Sequence, residues 1–441
     1  ILLEHVENND SVDVKVIVQD KFSLGFDIKN VSFSKFDVEL YDRNILGFGS
    51  ELGIRYLYNK NGEYVTGYGI RLVDPNIFRT FFRTELSYLK DNNSKTVKVS
   101  VERPIQTSLK YIGGLSYTYR NSPMKILLLN DTIIRLSQEN FSATFGRVFK
   151  INDLNPYSRL VVAGRFMYRN NLSKLITSDK YPYLNYPFEK RSLWLTSVSL
   201  FQQKRYRGNM IYNFGVTEDI AYGYNITAQA GYEKHVYFDR AYASIGASVG
   251  KNFKFGYIYT KGEYGSYFRN GRPEQGVLRF YSSYFSPLIK IGRGTFRQFS
   301  SIDYTEGIRR LNAADELIFF SHLTDLNTNK YNYQANGIRR WVFNTESDWF
   351  SPVQVFGFRM VYFAFVNLGW LGGKTEKLFS NDNFFSGYGI GFRTRNDQLV
   401  FKTIEIKLAW YPQLNQGKFS DYYDFSTSDP KVSPNFRPAY P

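Results

Sequence analysis

Odd and even residues along most of this sequence suit different solvents. Between 22 and 29, Phe22, Leu24, Phe26 and Ile28 share one parity, and Ser23, Gly25, Asp27 and Lys29 share the other. The stretch 224 to 232 repeats the pattern, with Tyr224, Ile226, Ala228, Ala230 and Tyr232 against Asn225, Thr227, Gln229 and Gly231. So does 241 to 249, and near the end Ile404, Ile406, Leu408 and Trp410 oppose Thr403, Glu405, Lys407 and Ala409. A strand sends its two parities to opposite faces, so each segment reads as an amphipathic strand.

Similar segments fall at 33 to 42, 50 to 58, 64 to 73, 80 to 89, 95 to 102, 109 to 119, 139 to 149, 158 to 169, 191 to 203 and 206 to 216. Others follow at 252 to 261, 276 to 284, 288 to 299, 339 to 348, 356 to 369 and 385 to 395. Turns such as Asn61-Gly62 and Asp91-Asn92-Asn93 suit antiparallel hairpins. No run of about 18 apolar residues offers a helical membrane span, but a barrel crosses a bilayer with about ten residues per strand. Its alternation permits the negative mean hydropathy seen here. The 36 Tyr and 39 Phe favour strands. A propeller would repeat a motif every 40 to 50 residues or so, and none recurs. The expected fold is all-β: a closed antiparallel transmembrane β-barrel of 16 to 20 strands.

The chain has no Cys, which removes disulfides, thiolate metal sites and Cys nucleophiles. His5, His235 and His322 are scattered, and no Ser-His-Asp grouping, metal spacing or nucleophile elbow accompanies them. Neither an enzyme nor a bound cofactor or metal is expected, and there are no candidate catalytic residues. The formal charge of +16 is spread over turns and one strand parity instead of forming a patch with stacked aromatics, so nucleic acid is disfavoured as a partner. That charge suits lipopolysaccharide phosphates and anionic outer-membrane lipid. Inward Lys29, Lys110, Lys254 and Lys407 would also suit a passive, anion-preferring pore.

Several motifs, in order, resemble the BamA/TamA outer-membrane assembly family. Val12-Asp13-Val14-Lys15-Val16 precedes the first strand, Arg43-Asn44-Ile45-Leu46-Gly47-Phe48-Gly49 resembles the turn of the family's second hairpin, and Asp74-Pro75-Asn76-Ile77-Phe78 resembles the turn after its fourth strand. The resemblance covers roughly residues 12 to 412 and implies a bacterial outer-membrane barrel fed by periplasmic POTRA domains. Residues 1 to 20 then read as the end of such a domain in a mature or trimmed chain, 21 to 412 as the barrel, and the Pro-containing stretch 413 to 441 as a tail.

The family also folds a long loop into its lumen and pins it by an Arg at a Val-Arg-Gly-aromatic tip. The interruption at 300 to 338 contains Ile308-Arg309-Arg310-Leu311, which is similar, with Arg309 in the key place and Arg310 where the family has Gly. Arg339-Arg340 is a rival tip. Phe365-Val366-Asn367-Leu368-Gly369 resembles the family's Phe-x-Asp-x-Gly motif with Asn for Asp, so Glu346 is the expected anionic partner on the lumen wall. A guanidinium can pin such a loop through paired charge-assisted hydrogen bonds. The resemblance further implies a seam that opens sideways to insert or translocate unfolded outer-membrane clients, with periplasmic or surface lipoprotein subunits as partners. Here the seam would join Phe22, Leu24, Gly25 and Phe26 to Ile404, Ile406, Leu408 and Trp410.

Overall fold

Amphipathic strands in such numbers hide their edges only by closing on themselves, and the computed structural model shows that closure. It describes residues 2–5, 12–15, 22–32, 35–60, 65–105, 110–126, 132–151, 157–173, 179–180, 182–211, 217–311, 316–320, 337–373, 383–396, 403–412, 423–428 and 434–438. A two-stranded antiparallel sheet of β1 (Leu2–His5) and β2 (Val12–Lys15) precedes the barrel. The barrel begins with β3 (Leu24–Ser32), β4 (Lys35–Asp42), β5 (Glu51–Asn59), β6 (Val65–Ile77), β7 (Phe82–Asp91), β8 (Lys95–Arg103) and β9 (Tyr111–Ile126). It continues through β10 (Thr132–Lys150), β11 (Ser158–Asn171), β12 (Arg191–Asn209), β13 (Thr217–His235), β14 (Arg240–Phe253), β15 (Gly256–Arg269) and β16 (Arg272–Phe285). The last part is β17 (Ile289–Ile291), β18 (Gly294–Ile308), β19 (Arg339–Val355), β20 (Phe358–Gly372), β21 (Phe384–Asn396), β22 (Thr403–Trp410) and β23 (Tyr423–Ser428).

Each strand pairs antiparallel with its sequence neighbour, and β23 lies beside β3 to complete the ring. The three-residue β17 is a flap on β18, which also pairs with β16 directly, so twenty strands form the wall among the described residues. That lies within the expected 16 to 20. The parities sort as the alternation predicts. Ile226, Tyr232, Ile245 and Val249 stand exposed outside, whereas Glu405, Lys407 and Asn367 are buried on the inner face. Phe166 packs on Trp194 at 5.5 Å, and Trp341 on Trp370 at 5.1 Å, forming cross-strand aromatic contacts on the outer face.

Several boundaries differ from the sequence expectation, and three of them have a physical reason in the strands themselves. The segments 191 to 203 and 206 to 216 were expected as two strands, but Arg191–Asn209 is one strand. The alternation changes phase where Gln202 and Gln203 face Tyr224 and Gly223. Gly223 has φ +146°, and a Cβ there would press into the Gln202 carbonyl. The hairpin of β9 and β10 runs on through Pro123 and Arg135, where polar residues on both strands hide the alternation. The third concerns 413 to 441, which is not merely a tail. Tyr423–Ser428 adds a strand to β22, and Phe436 is fully buried. Its alternation, Tyr423, Phe425 and Thr427 against Asp424, Ser426 and Ser428, is only six residues long and is obscured by the prolines that follow.

Candidate functional site

Among the described residues the sheet is shortest where it closes. β3 and β5 have nine residues each, β4 and β22 eight, and β23 six, against nineteen in each of β10, β12 and β13. A register shift between Ile28 and Asn30 further interrupts the ladder of β3 with β4. Phe22 and Leu24 are exposed outside, with Phe26 half-buried, while Gly25 faces inward beneath the Tyr41 ring, 2.5 Å from where a Cβ would stand. The expected seam partners Ile404, Ile406, Leu408 and Trp410 do face outward, but β22 is not an edge. Both its sides are paired, to β21 and to β23, so β23 is the strand that meets β3.

Behind the seam the inner wall carries ion pairs. Arg55 donates two hydrogen bonds of 2.7 Å to Asp37, and Arg71 bridges Glu39 at 2.8 Å and Glu51 at 2.6 Å. Across the seam, Glu346 is on the wall as expected, yet its partner is Arg393 of β21 and not a loop arginine. Arg393 donates to both oxygens of Glu346 at 2.8 and 2.9 Å, donates through Nε to Glu405 at 2.6 Å, and lies 3.5 Å from Asp348. Its guanidinium stacks 4.0 Å over the Phe363 ring.

Room for that stack comes from Gly389 and Gly391, whose missing Cβ atoms would stand 2.5 Å from the rings of Phe365 and Phe363. Gly391→Val should therefore destabilise the folded barrel by about 1–3 kcal/mol through overpacking, read as a lower temperature for conversion of the folded band on a semi-native gel. Asn367 is buried opposite Asn344, with no partner for its Nδ2, and Gly369 is buried in the ladder between Val342 and Phe385. The sequence clue to Arg393 was its shared parity with Gly387, Gly389 and Gly391, opposite Tyr388, Ile390 and Phe392. Only the fold reveals which acids it meets.

The loop-tip expectation is corrected. Residues 300 to 308 belong to β18, and Ile308 ends that strand opposite Gly276. Arg309 is exposed in the turn after β18, with φ +50°, and its carbonyl accepts from Gln275 N at 2.9 Å. Arg310 is half-buried against Gly307. Further on, Phe320 packs inside on Val342, Leu371 and Phe385, and Arg340 donates to the Phe319 carbonyl at 2.9 Å. Residues 321 to 336 lie outside the described ones.

Sequence reasoning missed a second inward segment, 182–189, between β11 and β12. Tyr186 is buried there and donates to Glu233 at 2.5 Å; Arg240, also fully buried, donates to the Tyr186 hydroxyl and stands 3.0 Å from Glu233. His235 stacks on Tyr186 at 4.3 Å, and its Nε2 lies 2.9 Å from the Tyr186 carbonyl. Gln138 donates to the Phe188 carbonyl at 3.0 Å. Burial, then the Glu233 charge, pushes the Tyr186 hydroxyl far above its ordinary range, so it remains a donor. Tyr186→Phe should cost about 1–3 kcal/mol by leaving Glu233 short of a donor, measurable by the same gel conversion.

No family profile matches the chain, and no curated protein does. Among solved structures, it is similar to CdiB from Acinetobacter baumannii, with TM-score 0.45 and 10% identity over 92% of this chain. The match spans 65% of that protein, less than two thirds of its length. It is also similar to BamA from Haemophilus ducreyi lacking POTRA domains 1-3, with TM-score 0.41 and 10% identity over 92% of this chain and 75% of that one.

Proposed function

We propose that this chain is the membrane barrel of an outer-membrane protein assembly or translocation protein, and that clients engage it at the junction of β3 with β23. The motif resemblance supports the family reading, and the outward apolar parity supports the membrane. The observation that carries the mechanism is that, among the described residues, the strands at closure are the shortest in the wall and the ladder of β3 with β4 shifts register. At about 3.3 Å per residue and a tilt of about 40°, six residues rise only about 15 Å, against an apolar band of about 25 Å in such membranes. The bilayer must thin there or leave backbone groups short of partners, each costing several kcal/mol in hydrocarbon. An incoming strand that pairs with β3 supplies those partners, which is β-augmentation at a membrane-embedded edge.

In this reading residues 1–20 end a periplasmic segment, clients arrive unfolded from that side, and lipoprotein subunits dock on the same face. No catalytic group or cofactor has a part in it, since pairing and lipid strain supply the free energy. A passive anion-preferring pore draws less support: of the lysines expected to face inward, Lys254 lies in the turn between β14 and β15 and Lys407 stands 3.9 Å from Glu405, while the inner-wall Arg55, Arg71 and Arg393 face carboxylates. The test is depletion of the protein in its native cell. Folded levels of other outer-membrane barrels should fall with it. Unchanged levels, alongside altered uptake of small anions, would replace this reading by the pore.

A further inference from the structure

The C-terminal residues 434–438 return to the barrel interior at the end where β3 begins, and they meet the wall far round the ring from the seam. Phe436 is fully buried. Its N–H donates to Gln203 Oε1 of β12 at 2.9 Å, and its ring stands edge-on to Tyr259 of β15 at 5.6 Å. Gly250 of β14 leaves the hollow for that ring, since a Cβ there would stand 2.5 Å from Phe436 Cζ. The next residue, Arg437, donates to the Ile105 carbonyl at 3.2 Å, and its own N–H is capped by Asn435 Oδ1 at 3.1 Å. Pro438 is buried beyond it. A backbone contact, a shaped aromatic hollow and a carbonyl for the guanidinium together specify sequence, as peptide sites do.

We propose that the inner wall at Gln203, Gly250 and Tyr259 is a binding site for an extended peptide carrying an aromatic residue followed by arginine, filled in cis by the chain's own C-terminus. The inference needs the barrel but not the assembly role. Burial, and then neighbouring Arg205, pushes Arg437 below its ordinary range, so two cations face each other when the tail is seated. Phe436 carries the attraction and Arg437 limits it, which makes the occupant exchangeable. Five residues lie between Ser428, the end of β23, and Pro434, six steps that span at most about 21 Å, so seating Phe436 also tethers the strand that closes the ring. A peptide of like chemistry entering from this end would displace the tail and free the end of β23.

The experiment uses the full chain in detergent micelles with Phe436→Ala, and a fluorescent synthetic peptide of residues 430–441 as probe. The substituted barrel should bind the peptide saturably and at least tenfold more tightly than the unsubstituted barrel, whose own tail competes. Adding Gln203→Ala, or placing Phe436→Ala in the peptide, should weaken binding at least tenfold. Equal binding to both barrels, or to both peptides, would overturn the site. As a second readout free of added peptide, carboxypeptidase should digest the C-terminus of the Phe436→Ala chain at least tenfold faster than that of the unsubstituted chain. Equal digestion rates would overturn the seating. A negative depletion result would refute the assembly role and leave these outcomes untouched.

Discussion

Arg393→Met lowers the stability of the folded barrel by about 3–5 kcal/mol, the cost of removing one member of a buried ion pair while its partners stay buried. The argument turns on what remains. Glu346, Asp348 and Glu405 converge on the site Arg393 vacates, and all are largely shielded by the wall. Among the described residues, Lys407 also stands near the cluster, at 3.9 Å from Glu405. Methionine restores much of the packing over Phe363, so the loss reports charge and not volume. Adding Glu346→Gln and Glu405→Gln removes the uncompensated charge and should recover most of the deficit, giving a coupling well above that of independent sites. Conversion of the folded band on semi-native gels measures all of these variants. Additive losses would mean that Arg393 does not hold the three acids together.

A disulfide between β3 and β23 abolishes client assembly, and a reductant restores it. The chain has no Cys of its own, so a cysteine at Phe26 combined in turn with one at each position of Tyr423–Ser428 finds the paired register without competing bridges. Ser116→Cys with Ser142→Cys is the control, since their hydroxyls stand 2.8 Å apart across the long β9–β10 hairpin and that hairpin has no part in gating. The seam pair should lower folded client levels at least tenfold under oxidising conditions, and the control pair should not. Full client levels with the seam bridge complete would remove lateral opening from the mechanism, whatever else the barrel does.

The reading from period 2 held where each strand keeps one hydrophobic parity, as in Tyr224 to Tyr232 and Ile404 to Trp410, because lipid and lumen act on side chains one residue at a time. It failed where that parity is interrupted, masked or brief. Gly223 flips the phase within β13, polar residues at the far ends of β9 and β10 mask theirs, and in β23 the run Tyr423, Phe425 and Thr427 is too short to stand out. The candidate site divides similarly. Glu346, Phe365 and Asn367 were expected on the inner wall from the motif resemblance, but the partner of Glu346 was not legible there.

What the sequence alone determined, then, is the kind of object: odd and even residues address different media, so the strands must roll into a wall with an inside and an outside. The tertiary structure decided the rest. Which guanidinium reaches Glu346, which strand lies against β3, and where Phe436 comes to rest all depend on residues far apart in the chain. Closure and register bring such groups together, and a local pattern carries no record of the partner it will meet.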